Sequence, residues 1–426
     1  MTTITNKGAA AGAARISNTL TEGKMKKVVV ILAGLIVMAG PLAIGADEQV
    51  KLFPVMSAGK FGYINARGRM TIKPEFDWAF DFSEGLALVN IGGSKNEMGY
   101  VIGGKWGYIE PKGRIVINPQ FDDAKDFSQG LALVNIGGKV NELGLLSDGK
   151  RGYIDRQGKM VVEPQYDDAR SFSQGLALVR LNDRYGYIDQ QGKAAVEIRY
   201  NDARNFSEGL APVRENDKYG YIDQTGKMVI EPQYVYASNF SQGRAVVRLD
   251  DKIWFIDRSG NKISQLYFED ANAFSEGLAS VKSGQKWGYI DTSGALAIAP
   301  HFDAGSDFHE GLAAVRVGGK RGYINRTGEV VIVPQYDGAM DFSEGLALVN
   351  KGGKMNENGM VAGGRWGFID RKGRMVIDNK FDFAWDFKDG LALVNIGGEM
   401  NPKGSVTGGV WGYINKGGRF VFKGKK

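Results

Sequence analysis

Short apolar runs alternate with turns rich in Gly, Pro and Asp from about residue 50 onward. One unit runs from Gly152-Tyr153-Ile154 through a turn at 156–159 to Met160-Val161-Val162, and it closes on the run 176–179, Leu-Ala-Leu-Val. The runs are short, rich in Val, Ile and Tyr, and show no sustained helical periodicity. The pattern predicts three strands per unit, joined as a meander.

The predicted strands are apolar on both faces. Trp106 and Tyr108 share one face of their strand, while Gly107 and Ile109 share the other. A sheet with one face in water would alternate apolar and polar residues. We therefore expect sheets that pack face to face, with small residues where a neighbour comes close.

The units repeat with a patterned period. Successive copies of the glycine in the Trp-Gly-Tyr-Ile-Asp run are 45, 45, 34, 34, 34, 34, 34, 45 and 45 residues apart. A fixed period of this length is typical of repeat proteins. The sequence therefore predicts an all-β tandem array of ten three-stranded units. Because common propellers have about four to eight blades, a curved or superhelical array is the first expectation, and a large propeller-like ring is the alternative.

The longer spacings come from an extension that occurs twice near each end of the array. Each copy contains a central Asn-x-x-Gly, beginning at Asn96, Asn141, Asn356 and Asn401. Their glycine spacing matches no phosphate-binding motif, so the pattern favours longer hairpins. The similarity of the copies indicates that they lie together or do the same job at both ends.

The first 46 residues differ from the array. Lys24, Lys26 and Lys27 precede an apolar run over 28–39, and small residues end the segment at Ala46. This arrangement is typical of a secretory signal peptide, and it suggests translation from Met25. We expect residues 47–426 to form a single array that is secreted or periplasmic, with no stable membrane span after cleavage. An uncleaved N-terminal anchor is the alternative.

Composition excludes several classes of function. The whole chain has a net charge of +6, but from residue 47 onward 49 Lys and Arg face 47 Asp and Glu, with no basic block. This argues against nucleic acid as a partner. There is no cysteine, and His301 and His309 are the only histidines. We predict no metal site, no cofactor, no catalytic residue and no enzymatic activity.

One set of acidic residues recurs at equivalent positions: Asp77, Asp122, Asp167, Asp303, Asp337 and Asp382. A pair of carboxylates can catalyse glycoside hydrolysis, but a catalytic pair is not expected in every unit. A side chain that accepts backbone N–H groups explains the repetition more simply.

Aromatic residues stand out where sister units carry polar ones. The first inter-strand segment has Trp78 and Phe80, the ninth has Phe383 and Trp385, and a middle unit has Tyr236. Off-pattern aromatics are typical of interfaces, so we predict these five as ligand-binding residues. The alternative is extra apolar cover for the terminal units.

The repeated Trp-Gly-Tyr-Ile-Asp, Pro-Gln-Tyr-Asp and Phe-Ser-Glu-Gly-Leu-Ala-Leu-Val segments resemble the WG (KWG) repeat family of bacterial proteins. The resemblance spans about residues 50–422, and the chain departs from it at Phe61, Arg151, Tyr185, Tyr219 and Arg321 in the Trp position and at Trp254 in the Gly position. It implies an all-β repeat protein and little about function.

Together these observations predict a non-enzymatic extracytoplasmic scaffold that presents its surface to an envelope or host protein. A polysaccharide- or cell-wall-binding module that uses the five aromatics is the alternative. An envelope hydrolase is the weakest candidate, because it needs a carboxylate or hydroxyl pair unique to one unit, and the sequence contains no such pair.

Overall fold

Ten small antiparallel sheets follow one another along the chain. The computed structural model describes residues 51–96, 101–141, 146–355, 361–400 and 406–424. Within these ranges every regular element is a strand, and no helix there is long and apolar enough to cross a membrane. The all-β tandem array is thus confirmed, and we number the sheets as blades 1 to 10. The predicted signal segment, residues 1–46, lies outside the described residues.

Each complete blade has four strands in chain order: inner, second, third and outer. The three predicted strands are the second, third and outer ones. The inner strand has only two residues in most blades, as in Asp123–Ala124 of blade 3, which is too short to leave a pattern in the sequence.

The strand bounds are as follows. From blade 2 to blade 10 the inner strands are Trp78–Ser83, Asp123–Ala124, Asp168–Ala169, Asp202–Ala203, Tyr236–Ala237, Asp270–Ala271, Ala304–Gly305, Gly338–Ser343 and Phe383–Ala384. From blade 1 to blade 10 the second strands are Leu52–Ser57, Leu86–Lys95, Leu131–Val140, Leu176–Leu181, Leu210–Glu215, Ala245–Leu249, Leu278–Ser283, Leu312–Val317, Leu346–Met355 and Leu391–Met400. The third strands are Lys60–Asn65, Val101–Ile109, Leu146–Asp155, Arg184–Asp189, Lys218–Asp223, Lys252–Ile256, Lys286–Asp291, Lys320–Asn325, Val361–Asp370 and Val406–Asn415. Outer strands are present in every blade but the sixth: Met70–Phe76, Ile115–Phe121, Met160–Tyr166, Ala194–Tyr200, Met228–Tyr234, Leu296–Phe302, Val330–Tyr336, Met375–Phe381 and Phe420–Lys423.

The glycine of the third strand lets the outer strand pack closely. A Cβ on Gly107 would lie 2.5 Å from the Ile117 carbonyl oxygen and 2.6 Å from the Pro119 nitrogen. Blade 6 has Trp254 at this position, and its outer segment makes only isolated bridges, at Phe268 and Lys262. The indole therefore takes the place of a close-packed outer strand, and the Lys262 ammonium lies 3.4 Å over its ring.

The blades form a closed ring. In successive blades the glycine of the Asp-x-x-Gly turn packs against the outer strand of the preceding blade, as Gly113 does on Ile72 and Gly158 on Ile117. Gly68 of blade 1 packs at the equivalent place on the outer strand of blade 10, against the Val421 carbonyl group. This repeated geometry selects the propeller-like ring, our alternative expectation, over the open superhelix. The rotation between neighbouring blades is small enough that ten of them complete one turn.

The core lies between neighbouring blades. Tyr108 of blade 2 is fully buried, and its ring lies against Phe127 of blade 3 with centroids 4.9 Å apart. Its hydroxyl donates to the Lys125 carbonyl oxygen, also in blade 3, at 2.7 Å. The predicted face-to-face packing is therefore confirmed, since each core cluster contains side chains from two blades.

The Phe-Ser-Glu-Gly turns between inner and second strands link the blades nearest the ring axis. The Glu84 carboxylate accepts the N–H groups of Gln129 and Gly130 in the next blade, at 2.7 and 2.9 Å, and the Ser83 hydroxyl donates to the Phe127 carbonyl oxygen. We call the side of the ring that carries these turns the turn face. The opposite side, which carries the connections from second to third strands, is the hairpin face.

The predicted extensions are longer hairpins in blades 2, 3, 9 and 10. In blade 2 the pairing continues from Asn90 to Lys95, which lies opposite Val101. The Asn90 side chain is fully buried, and its Oδ1 atom accepts the Gly93 N–H at 3.0 Å. Ring closure places the four hairpins side by side on both flanks of blade 1. Their tips at Asn356 and Asn401 lie outside the described residues.

Candidate functional site at the ring seam

Blade 1 interrupts the inner wall of the ring. Its second strand, Leu52–Ser57, is an edge strand, and no described strand pairs with its free side. Two cavities adjoin this edge, one between blades 10 and 1 and the inner strand of blade 2, and one next to it toward the turn face. We call blades 10, 1 and 2 together the seam.

The first cavity, the aromatic cleft, has a volume of about 600 Å³ and opens on the hairpin face. Its walls include Phe61, Trp78, Lys95, Trp385 and Trp411. The rings of Phe61 and Trp78 lie 5.0 Å apart, and the Lys95 ammonium lies 4.7 Å from the Trp78 ring. The Lys95 ammonium therefore already lies against two aromatic faces of this cleft, and burial there lowers its pKa.

The structure brings together four of the five aromatics predicted from sequence. Trp78 of blade 2 and Trp385 of blade 10 line the same cleft. Phe383 packs edge-on against Trp385 at 5.2 Å, and Phe80 lies next to Trp78 at 6.4 Å. Trp385 is 58% exposed, so it is available to a ligand. Tyr236 lies apart from them in blade 6, where the Arg204 guanidinium covers its ring at 4.7 Å.

The second cavity, the acidic pocket, has a volume of about 730 Å³ and borders the first residues of blade 1. Its walls include Lys51, Asp81, Asp386, Lys388 and Asp389. Lys388 donates to Asp81 at 2.5 Å, and Lys51 pairs with Asp389. Both ion pairs bridge the seam, the first from blade 10 to blade 2 and the second from blade 10 to blade 1.

Acidic side chains extend this pocket along the inner wall. The residue before Phe in the Phe-Ser-Glu-Gly turn is acidic in blades 2, 3, 8, 9 and 10, as Asp81, Asp126, Asp307, Asp341 and Asp386. We call these five residues the aspartate arc. The corresponding residues of blades 4 to 7 are uncharged: Ser171, Asn205, Asn239 and Ala273. Since blade 10 adjoins blade 1, the arc is continuous across the seam.

Four carboxyls of the arc have raised pKa values. Asp386 is exposed on the wall of the acidic pocket, where desolvation together with Asp341 raises its pKa to about 6. Burial and the neighbouring Asp81 raise the pKa of Asp126, and burial and Asp341 raise that of Asp307. A ligand that brought a cation here would relieve this repulsion.

The sequence analysis missed Phe61, Lys95 and Trp411 of the cleft and the whole aspartate arc. Trp411 is the ordinary occupant of the repeat's Trp position, and Phe61 is one of five replacements of that Trp along the chain, so neither stood out as a binding residue. The arc did leave a signal, because its position is charged only in blades near the two ends of the chain. The aspartates from the two ends of the chain form one cluster only when the ring closes.

The recurrent aspartates before the inner strands have a structural role. One carboxylate oxygen of Asp337 accepts from Lys320 of the preceding blade at 2.5 Å, and the other accepts the Gly352 N–H at 2.8 Å. The hydrogen bond from Lys320 lowers the pKa of Asp337. The same pair of contacts occurs at Asp77, Asp122, Asp167, Asp303 and Asp382.

The two histidines lie in blades 7 and 8. His301 contacts only its own strand, at the Ala299 carbonyl oxygen, and His309 lies 3.2 Å from Asp341. In the described part of the chain, no group of three or more His, Cys, Asp or Glu residues is arranged to hold a metal ion.

The repeat geometry agrees with a comparison of the sequence with protein families. The model of the WG containing repeat matches nine segments: 61–94, 106–139, 152–185, 185–219, 219–252, 255–287, 287–320, 322–354 and 366–399. The chain belongs to the WG containing repeat family. No curated protein sequence matches this WG repeat protein.

A comparison with solved structures finds similar chains at low sequence identity. The WG repeat protein is similar to a eukaryotic initiation factor, with 10% identity and a TM-score of 0.50 over 88% of this chain and 95% of that one. Hsv2p of Kluyveromyces lactis is 11% identical with a TM-score of 0.34, over 59% of this chain and 97% of that one. PorZ, a surface component of the type IX secretion system of Porphyromonas gingivalis, is 9% identical with a TM-score of 0.26, over 84% of this chain and 51% of that one.

Proposed function

We propose that this WG repeat protein is a non-enzymatic binding protein of the bacterial envelope or secreted space, and that it holds a partner protein at the seam of its ring. The observation that carries the proposal is the convergence of features around blade 1. The aromatic cleft and the acidic pocket lie at blades 10, 1 and 2, and the four extended hairpins lie on the two blades on either side of blade 1.

The chemistry of the seam favours a protein ligand. Its walls combine aromatic rings, charged side chains of both signs and a strand edge that pairs with no described strand. Aromatic residues are the anchors of protein interfaces, and an unpaired edge offers backbone hydrogen bonds to another chain. The proposed location follows from the segment before residue 47, whose basic start and short apolar run are typical of a secretory signal.

The test combines cell fractionation with partner capture. The tagged protein is cross-linked in cells, its fraction is recorded, and captured proteins are compared for the native chain and a Trp78→Ala/Trp385→Ala variant. Tyr267→Ala is the matched control, since Tyr267 of blade 6 is 51% exposed and lies away from the seam. We expect an extracytoplasmic protein whose partner is lost in the seam variant and kept in the control. A partner retained by both variants would contradict the proposal.

A second candidate is binding of a cell-wall polysaccharide. The observation in its favour is that Trp78, Trp385 and Trp411 line one open cleft, and aromatic faces of this kind can stack on sugar rings. Co-sedimentation with isolated cell-wall polysaccharide tests it with the same variants. Sedimentation of the native chain and of Tyr267→Ala, but not of the seam variant, would favour this candidate over a protein partner.

A further inference from the structure

The free edge of blade 1 has the geometry of a strand that lacks its neighbour. In blade 3 the inner strand runs antiparallel to the second strand, with Ala124 opposite Val134. The Lys125 N–H donates to the Leu133 carbonyl oxygen at 3.0 Å, and the Asp122 N–H donates to the Asn135 carbonyl oxygen at 3.0 Å. These two backbone bonds hold the inner strand in place.

The same two acceptors face the open edge in blade 1. Pro54 lies opposite Tyr63, and Met56 lies opposite Phe61, which is the register of Leu133 and Asn135 in blade 3. Because alternate residues of a strand direct their backbone groups to opposite sides, the carbonyl oxygens of Pro54 and Met56 point into the groove. They are placed to accept hydrogen bonds from an added strand.

Pro54 does not prevent such pairing. Blade 5 has a proline at the same position, Pro212, and its carbonyl oxygen accepts the Arg204 N–H at 3.1 Å. The inner strand of blade 5 therefore pairs with a proline-containing second strand. A proline at an edge also removes one N–H and so limits pairing with unrelated chains.

The groove along this edge has room for an extended segment. The acidic pocket, of about 730 Å³, borders Lys51, Leu52 and Phe53. The aromatic cleft, of about 600 Å³, borders Pro54, Val55 and Met56. The two cavities share Trp385, Leu393 and Tyr413 in their walls, so they lie next to each other along this edge, and we call them together the groove.

Charge restricts which segment fits. At the turn-face end the groove meets Asp81 and Asp386 of the aspartate arc, and an added cation would reduce the repulsion within the arc. In blade 3 the charge of Lys125 partly offsets the raised pKa of the neighbouring arc residue Asp126. A small residue followed by a basic one occurs as Ala124-Lys125, Ala169-Arg170 and Ala203-Arg204.

We propose that the groove takes an extended segment of a partner protein as the missing inner strand of blade 1. The segment runs antiparallel to Leu52–Ser57, places a small residue opposite Val55, and follows it with a basic residue that points toward the aspartate arc. The N–H of this basic residue donates to the Pro54 carbonyl oxygen. The proposal rests on the proposed function, and it specifies the partner as a β-strand donor.

The probe is a peptide copied from the ring itself, residues 200–207, Tyr-Asn-Asp-Ala-Arg-Asn-Phe-Ser. This is the inner strand of blade 5, and it carries asparagine where other inner strands would add an aspartate to the arc. Binding of the fluorescent peptide to the full chain and to the chain starting at residue 47 is measured by anisotropy. Hydrogen–deuterium exchange then locates the protected amides.

We expect saturable binding to the chain starting at residue 47, with new protection over 52–57. Two altered peptides separate the contributions: Arg204→Glu reverses the charge, and N-methylation of the Arg204 amide removes the donor to Pro54 while keeping the charge. Each should weaken binding about tenfold or more, as expected for a charge-assisted contact and a backbone hydrogen bond. In the protein, Asp386→Asn should weaken the native peptide and not the Arg204→Glu peptide.

Other results would overturn the proposal. They are absence of saturable binding, protection outside 52–57, or equal affinity for the N-methylated peptide. Full protection of 52–57 before any peptide is added would do the same, because the chain's own residues would then fill the edge. If these results occurred while partner capture still required Trp385, strand addition would fail and the proposed function would stand.

Discussion

Lys388 of blade 10 donates to Asp81 of blade 2 at 2.5 Å, although 307 residues separate them in the chain. The two side chains reach across blade 1, which has no described inner strand between them. Both are more than half exposed, so the pair adds little to stability. The pair instead marks the place where the two ends of the array meet and where no described strand completes the inner wall.

The hydrogen bonds of the recurrent aspartates before the inner strands should stabilise the ring in a pH-dependent way. Asp337→Asn weakens the contacts with Lys320 and Gly352, so we expect the free energy of unfolding to fall by about 1–2 kcal/mol at pH 7. The folded-state pKa of Asp337 is lowered, so its contribution is present above the unfolded pKa and is lost as pH falls through the folded pKa. Urea denaturation should therefore show a smaller difference at pH 3 than at pH 7. Asp183→Asn is the control, as its side chain is 92% exposed. An equal loss at both pH values would contradict this account.

The aspartate arc should have the opposite pH dependence. The folded-state pKa of Asp386 is raised to about 6, so the folded protein binds this proton more tightly than the unfolded chain. Its contribution to stability is present at pH 4 and is lost as pH rises through about 6. Asp386→Asn should therefore be more stable relative to the native protein at pH 7.5 than at pH 4.5. Asp378→Asn, on the exposed side of blade 9, should show no such change. If the stability difference between Asp386→Asn and the native protein did not change with pH, the raised pKa of Asp386 would be contradicted.

The close packing of third and outer strands predicts a strong effect of one methyl group. Gly107→Ala places a Cβ atom 2.5 Å from the Ile117 carbonyl oxygen. The backbone of the outer strand would have to shift to make room for it. We expect a loss of about 1–3 kcal/mol in the free energy of unfolding, as for other overpacked sites. Gly417→Ala is the matched control, because the nearest atom to its Cβ, the Asn415 Oδ1 atom, would be 3.4 Å away. Equal stability of the two variants would show that the outer strand is not held as described.

The buried asparagines at the base of the extended hairpins should be needed for those hairpins. Asn350 is fully buried, accepts the Gly353 N–H at 3.0 Å and donates to the Gly363 carbonyl oxygen at 3.1 Å. Asn350→Ala leaves the Gly353 N–H and the Gly363 carbonyl oxygen without this partner, and we expect the free energy of unfolding to fall by about 1–3 kcal/mol. Amide exchange should increase first in the hairpin of blade 9. Asn118→Ala, at an exposed position, should change neither the free energy of unfolding nor the amide exchange of this hairpin. A similar effect of both variants would refute the role of Asn350.

Much of each blade could be predicted from sequence because its causes are local. The Asp-x-x-Gly turn, the apolar runs and the glycine at position 107 are each explained by contacts between strands of the same blade. The inner strand could not be predicted, since Asp123–Ala124 is held by the second strand and carries no pattern of its own. Closure could not be predicted either, because it depends on the summed rotation of all blades. Without closure, Trp78 and Trp385 belong to opposite ends of an array, and the aspartate arc is two separate clusters.

The central claim is that ring closure creates the site, and a distance measurement across the seam tests it most directly. The chain has no cysteine, so Lys51→Cys with Asp389→Cys introduces a single pair, at side chains that are in contact in the structure. The control pairs Lys51→Cys with Glu208→Cys, the position equivalent to Asp389 in blade 5. A short bis-maleimide is added to dilute protein, and intramolecular products are identified by mass spectrometry. The closed ring predicts efficient cross-linking of residues 51 and 389 and none of 51 and 208. Failure of the first pair to cross-link within one molecule would contradict closure and the site that depends on it.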